Sequence, residues 1–139
     1  MFILLKFIHI LCIFVAGGAS IGNAVLGKKV KASGAPPTPL VGDSMFVLGR
    51  MGLAAVIVLW LTGVPMLLIK YGTFAEGLTF YIKLIVASTL FVSVAMMNLE
   101  VANARKEKRP PNEGKMHMLD NLAKVSGIGA MLFAVITFN

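Results

Sequence analysis

Long apolar runs alternate along the chain with short polar, proline-bearing or basic stretches. The runs lie at about 3–26, 45–69, 78–104 and 116–138. A hydrocarbon core about 30 Å thick is crossed by ~20 apolar residues in a helix, and each run has that length. In lipid the backbone amides must find partners within their own segment, which selects helices for such runs. The pattern therefore predicts an all-α fold, a membrane four-helix bundle of four transmembrane helices. It forms a single integral membrane domain over 1–139, with no soluble domain beside it.

The breaks between runs carry recognisable stop and start signals. The first run opens like a signal peptide, with Lys6, an apolar core and the small residues Ala16 to Ser20, but the apolar stretch continues to Leu26 and predicts a retained helix. A loop is expected over 27–43, where Pro36, Pro37 and Pro39 forbid regular helix, with Asp43 or Ser44 capping the second helix. Pro65 should kink that helix near its end and free the Leu61 carbonyl. A turn at Lys70, Tyr71, Gly72 and Thr73 leads to the third run, which ends in the basic segment 105–109 followed by Pro110 and Pro111.

Composition agrees with the pattern. Of 139 residues 58% are hydrophobic and 14% charged, against about 45–50% and 25% in soluble domains. The net charge of +7 does not point to nucleic acid, because the basic residues cluster in two connections beside apolar runs. There they face anionic lipid and set topology. Lys28, Lys29 and Lys31 lie in the first connection, and Arg105, Lys106, Lys108, Arg109 and Lys115 in the third. The second holds Lys70 balanced by Glu76. The positive-inside rule places loops 27–44 and 105–115 in the cytoplasm and both termini outside, in a bacterial inner membrane. Cys12 is the single cysteine, which excludes an internal disulfide or a redox pair.

Packing in lipid relies on small residues and interhelical hydrogen bonds. Gly18 and Gly22 form a GxxxG, Gly49 and Gly52 follow on the second run, and Ala123, Gly127, Ala130 and Ala134 recur at helical spacing on the fourth. Intrachain packing is the ordinary use of such faces, and homo-oligomer formation the alternative. Ionisable groups inside a span usually face protein or a wet cavity. Lys6, His9 and Lys83 fall in an outer layer, with His9 ~10 Å and Lys83 about 7 Å into their runs at 1.5 Å per residue. Arg50 and Glu100 share an inner depth, so they are expected either to pair or to extend to the surface. His117 is expected to be solvated.

Most four-span chemistries lack their residues here. Two haems need four histidines, and the chain has two. A disulfide oxidase needs cysteine pairs. A small multidrug antiporter needs a carboxylate deep in the first span. No nucleophile and base are spaced for hydrolysis, and no broken helix pair suggests a transporter. A single haem b needs one axial imidazole, optionally a second ligand, and cations for its propionates. His9 offers the first, Met66 or Met131 the second, and Lys6 and Lys83 the third. The ordinary uses of these residues are a structural hydrogen bond for the histidine and core filling for the methionines.

Lys6 and His9 in Leu5-Lys6-Phe7-Ile8-His9-Ile10, Arg50 before a helix ending Leu61-Thr62-Gly63, and Tyr81-Ile82-Lys83-Leu84-Ile85-Val86 together resemble the HemJ-type protoporphyrinogen oxidases and related small four-helix membrane proteins. The resemblance is distant. It implies the four-helix membrane fold, haem b, and porphyrinogen oxidation, with His9, Arg50 and Lys83 at matching positions. The chain differs where that group carries an aromatic and proline-arginine run (here Gly22 to Leu26), a late third-helix histidine (here Val94 to Met97) and an N-E-x-P pattern (here Asp120 to Ala123). The expected function is accordingly that of a non-catalytic accessory or structural subunit of a larger membrane complex. A haem-b redox protein centred on His9 is the alternative.

Overall fold

A computed structural model describes residues 1–71 and 78–138. They form four α-helices and, among the described residues, no strand: α1 (Phe2–Ser33), α2 (Pro39–Tyr71), α3 (Leu78–Lys106) and α4 (Glu113–Phe138). The strand-free, four-helix fold expected from the apolar runs is present. Gly72, Thr73 and Glu76 of the second connection lie outside the described residues.

α1, α2 and α3 are long and apolar enough to cross a membrane, over Phe2–Ser33, Pro39–Met66 and Tyr81–Lys106. α4 differs. Glu113, Lys115, Asp120 and Lys124 occupy its first half, so its uncharged stretch starts only at Val125. That stretch is roughly 20 Å long at 1.5 Å per residue, short of the hydrocarbon thickness.

The chain clusters into two compact units, one holding α1 and α2 and the other α3 and α4. In the first, the helices run antiparallel as a hairpin. A Cβ added at Gly22 would stand 3.3 Å from Leu48, one at Gly27 3.8 Å from Met45, and one at Gly52 3.8 Å from the Ala19 methyl. The seam is thus built on Ala19, Gly22 and Gly52. Gly18, the other half of the expected GxxxG, has nothing near it. Close backbone approach at small residues is what allows dispersion contacts to hold helices together in lipid.

The turn of this hairpin is shorter than the prolines alone suggest. α1 continues through Lys28, Lys29 and Lys31, because nothing in that stretch opposes helix, and stops at Gly34 in the left-handed region at φ 64°. A glycine there carries no Cβ penalty. Thr38, not Asp43 or Ser44, caps α2. Its carbonyl accepts the Gly42 N–H at 2.9 Å and its hydroxyl the Val41 N–H at 3.5 Å. Pro39 takes the first helical position, where its missing N–H costs nothing. Ser44 instead turns its hydroxyl back onto the Leu40 carbonyl at 2.8 Å. α2 runs on past Pro65 as helix.

The second hairpin packs α3 on α4 through Ala104, 1% exposed, and Leu119, 3% exposed, with Ser93 and Ser126 also buried. A Cβ at Gly129 would meet Val86 at 3.5 Å, whereas Gly127 has open space around it. The α4 seam therefore passes through Leu119, Ser126 and Gly129, one residue off the small-residue stripe that includes Gly127. Asn112 caps α4, accepting the Lys115 N–H on its side chain at 3.0 Å and the Met116 N–H on its carbonyl at 2.9 Å. α3 ends in a Schellman turn. The Arg109 N–H reaches the Ala104 carbonyl at 3.0 Å, the Lys108 N–H reaches that of Arg105 at 3.3 Å, and Lys108 takes the left-handed conformation at φ 54°. A non-glycine residue there costs about 1 kcal/mol.

Candidate functional site

His9 and Thr62 form a polar contact between the two helices of the first hairpin. Thr62 sits on the buried face of α2, and its hydroxyl donates to the Val58 carbonyl at 2.8 Å, with Leu59 at 3.3 Å as a weaker second acceptor. His9 Nδ1 lies 2.8 Å from the same oxygen. A threonine hydroxyl has one proton. With that proton on Val58, His9 Nδ1 is the donor to Thr62 and Nε2 keeps its lone pair. Gly63 lets the imidazole close on α2, since a Cβ there would stand 3.4 Å from His9 Cε1.

The other residues singled out in the sequence fall in different places. Lys6 lies one turn before His9 on α1 and is exposed at its surface. Met66 lies one turn beyond Thr62 on α2 and is buried. Cys12 is half-buried one turn after His9. Arg50 is about 18 Å from Thr62 along α2 at 1.5 Å per residue. It is exposed, with its guanidinium 5.5 Å from the centre of the Phe46 ring, a cation–π contact. Lys83 and Met131 belong to the second hairpin. Lys83 is half-buried on α3 and Met131 is 52% exposed on α4. The first hairpin on its own therefore gathers His9, Thr62, Lys6 and Met66 towards one end, and Arg50 stands apart from them. Among the described residues, no three His, Cys, Asp or Glu side chains cluster as a metal site.

A second polar centre was not legible as such. Glu100, 7% exposed, was expected either to pair with Arg50 or to extend to the surface. Its carboxylate is engaged within its own hairpin instead. Oε1 accepts from Arg109 Nη1 at 3.0 Å and from the Asn112 N–H at 3.3 Å, and Oε2 lies 3.2 Å from Lys115 Nζ. The nearby turn brings these donors to the carboxylate at a small loop-closure cost, whereas Arg50 is far away in the chain. Arg109 also pairs with Glu107, and the two carboxylates, Glu107 foremost, raise its already high pKa further. His117 is exposed, as expected for a surface histidine, and contacts Asn121 at 3.1 Å. Asp120 pairs with Lys124 one turn on.

Three hydroxyls in the middle of α3 turn back on their own helix. Ser88 donates to Leu84, Thr89 to Ile85 and Ser93 to Thr89, at 2.7–2.9 Å. Asn98 does the same with its amide, donating to Val94 at 2.9 Å. Such bonds satisfy a hydroxyl inside a span without recruiting a partner. Compared with known proteins, the chain matches no family model, no curated protein and no solved structure.

Proposed function

We propose that this chain is an integral membrane protein with no catalytic centre of its own, acting as an accessory or structural subunit of a larger membrane complex. The observation that carries the reading is where most of the in-span polar groups singled out above are spent. His9 is tied to Thr62, Glu100 to its own turn, and Ser88, Thr89, Ser93 and Asn98 to α3 carbonyls, while Asn23 Oδ1 on α1 is buried without a hydrogen-bond partner among the described residues. Apolar side chains such as Phe14, Ile21, Leu61, Ile85 and Val92 stay exposed along the three long helices, as suits contact with lipid or with another membrane protein. In this reading the segments 27–44 and 105–115, helix ends and the turns between them, are cytoplasmic, α4 completes a fourth crossing, and both termini lie outside. Purification in a mild detergent tests the subunit role. A stoichiometric membrane partner should copurify, and elution of the chain alone under every mild condition would refute it.

The His9–Thr62 geometry favours one second reading, a haem-b redox protein. A ligating histidine commonly donates its other ring N–H to a neighbouring acceptor, and Thr62 is such an acceptor for His9 Nδ1. His9 would then present Nε2 to the iron, Met66 could serve as the second ligand on that hairpin, and Lys6 would lie one turn away for a propionate. Bound haem would supply one-electron chemistry there. The visible spectrum separates the two readings. A Soret band abolished by His9→Ala supports haem, and a colourless preparation after incubation with excess haem removes it.

A further inference from the structure

The turn between α3 and α4 is tightly ordered and unevenly neutralised. Glu100 and Glu107 hold Arg109, and Glu100 holds Lys115. The side chains of Lys106 and Lys108 are exposed and have no hydrogen-bond or ion-pair partner among the described residues. Lys108 also occupies the left-handed position of the Schellman turn, which in α1 is filled by Gly34. Setting topology requires only that charge lie somewhere in the connection. It does not require a lysine at the position where glycine is free of strain. A strained residue held by its surroundings points to a role for its side chain.

We propose that Lys106 and Lys108, on the turn braced by Glu100, bind the phosphodiester of an anionic phospholipid headgroup. The site rests on the membrane reading above, since α3 must end at a bilayer surface for a headgroup to reach it. Tyr81–Lys106 is one of the apolar segments, and it ends on Lys106 itself. Lys106 is the last residue of α3 and Lys108 the left-handed residue two positions on, so both ammonium groups leave the same short turn, and the ion pairs of Glu100 and Glu107 hold the backbone that carries them. Juxtamembrane lysines attract anionic lipid in this way, and the attraction is screened by salt.

The test uses the purified full chain in a neutral detergent, with thermal unfolding followed after adding phosphatidylglycerol, phosphatidylcholine or inorganic phosphate. Phosphatidylglycerol should raise the midpoint by several degrees, the increment should shrink at high salt, and the other two should do little. Lys106→Gln with Lys108→Gln should lose most of the increment. Lys108→Gly provides a second variant that folds more easily. It should raise the midpoint without lipid and still lose much of the lipid increment. A full increment in the Gln/Gln variant, an equal effect of phosphatidylcholine, or a full effect of inorganic phosphate would each overturn the headgroup site. Alkaline extraction of native membranes keeps the two readings apart. Wild-type protein that stays in the membrane yet gains nothing from phosphatidylglycerol refutes the site alone, whereas protein released by alkali refutes the membrane reading and the site with it.

Discussion

At the scale of single residues, Thr62 determines what His9 does. It joins α1 to α2 while satisfying itself on Val58, so Thr62→Val keeps the shape and removes the link. Hydrogen bonds between membrane helices are worth about 0.6 kcal/mol on average and under about 2 kcal/mol at most. Unfolding of Thr62→Val should show a loss in that range, and a double-mutant cycle with His9→Ala should return most of it as coupling. Additive effects of the two substitutions would mean that the contact contributes nothing. His9 stood out in the sequence because ionisable groups in a span are rare. Thr62 did not, because a threonine in an apolar helix reads as a residue bonded to its own backbone, which it also is. The adjacent Gly63 was the available signal, since it marks where a side chain from α1 can approach closely. Glu100 gives a second prediction at this scale. Glu100→Gln cannot balance Arg109 and Lys115, so the thermal midpoint should fall by several degrees. Glu107→Gln, at an exposed pair, should change it little.

At the scale of elements, the number and kind of helices followed from apolar run length alone, and the ends were harder to place. The first connection is shorter than the expected loop at 27–43 because a helix end tolerates lysine well, and Lys28, Lys29 and Lys31 stay in α1. Thr38 followed by Pro39 is a cap and first-turn signature, and it outweighs Asp43 further on. The packing seams depart from the expected small-residue faces for a related reason. Small residues recur in membrane helices on more than one face, and spacing alone does not say which face the neighbouring helix occupies. Gly52 lies on the seam beside Ala19, so Gly52→Leu should force the hairpin apart and cost about 1–3 kcal/mol, as overpacking usually does. Gly18→Leu, with open space around it, should cost much less. Comparing the two variants in detergent unfolding tests the assigned seam, and equal losses would refute it.

At the scale of the whole molecule, the outstanding element is α4. Its charged first half and short uncharged half separate two topologies. If it crosses the bilayer, a reporter fused after Asn139 is active outside the cytoplasm, as proposed. A cytoplasmic signal would overturn that orientation, and together with a first connection that is still cytoplasmic it would place α4 along the membrane surface and leave three crossings. Two pairs that engage that half, Asp120 with Lys124 within α4 and Lys115 with Glu100 of α3, lower the cost of carrying charge towards lipid. Neither pair was legible from apolar periodicity, which registers only that charges are present.

The short first turn also affects how sidedness can be mapped by digestion. Lys28, Lys29 and Lys31 are wound into α1, and 34–38 carries Pro36 and Pro37, so trypsin finds no extended basic bond there. At the other turn the Arg109 backbone N–H is bonded to Ala104, and the bond after Arg109 leads into Pro110. Susceptible bonds require exposed, unwound chain. Membrane vesicles with these turns facing the protease should therefore yield almost intact protein, and a resistant lysine-rich turn should not be mistaken for one sheltered on the far side.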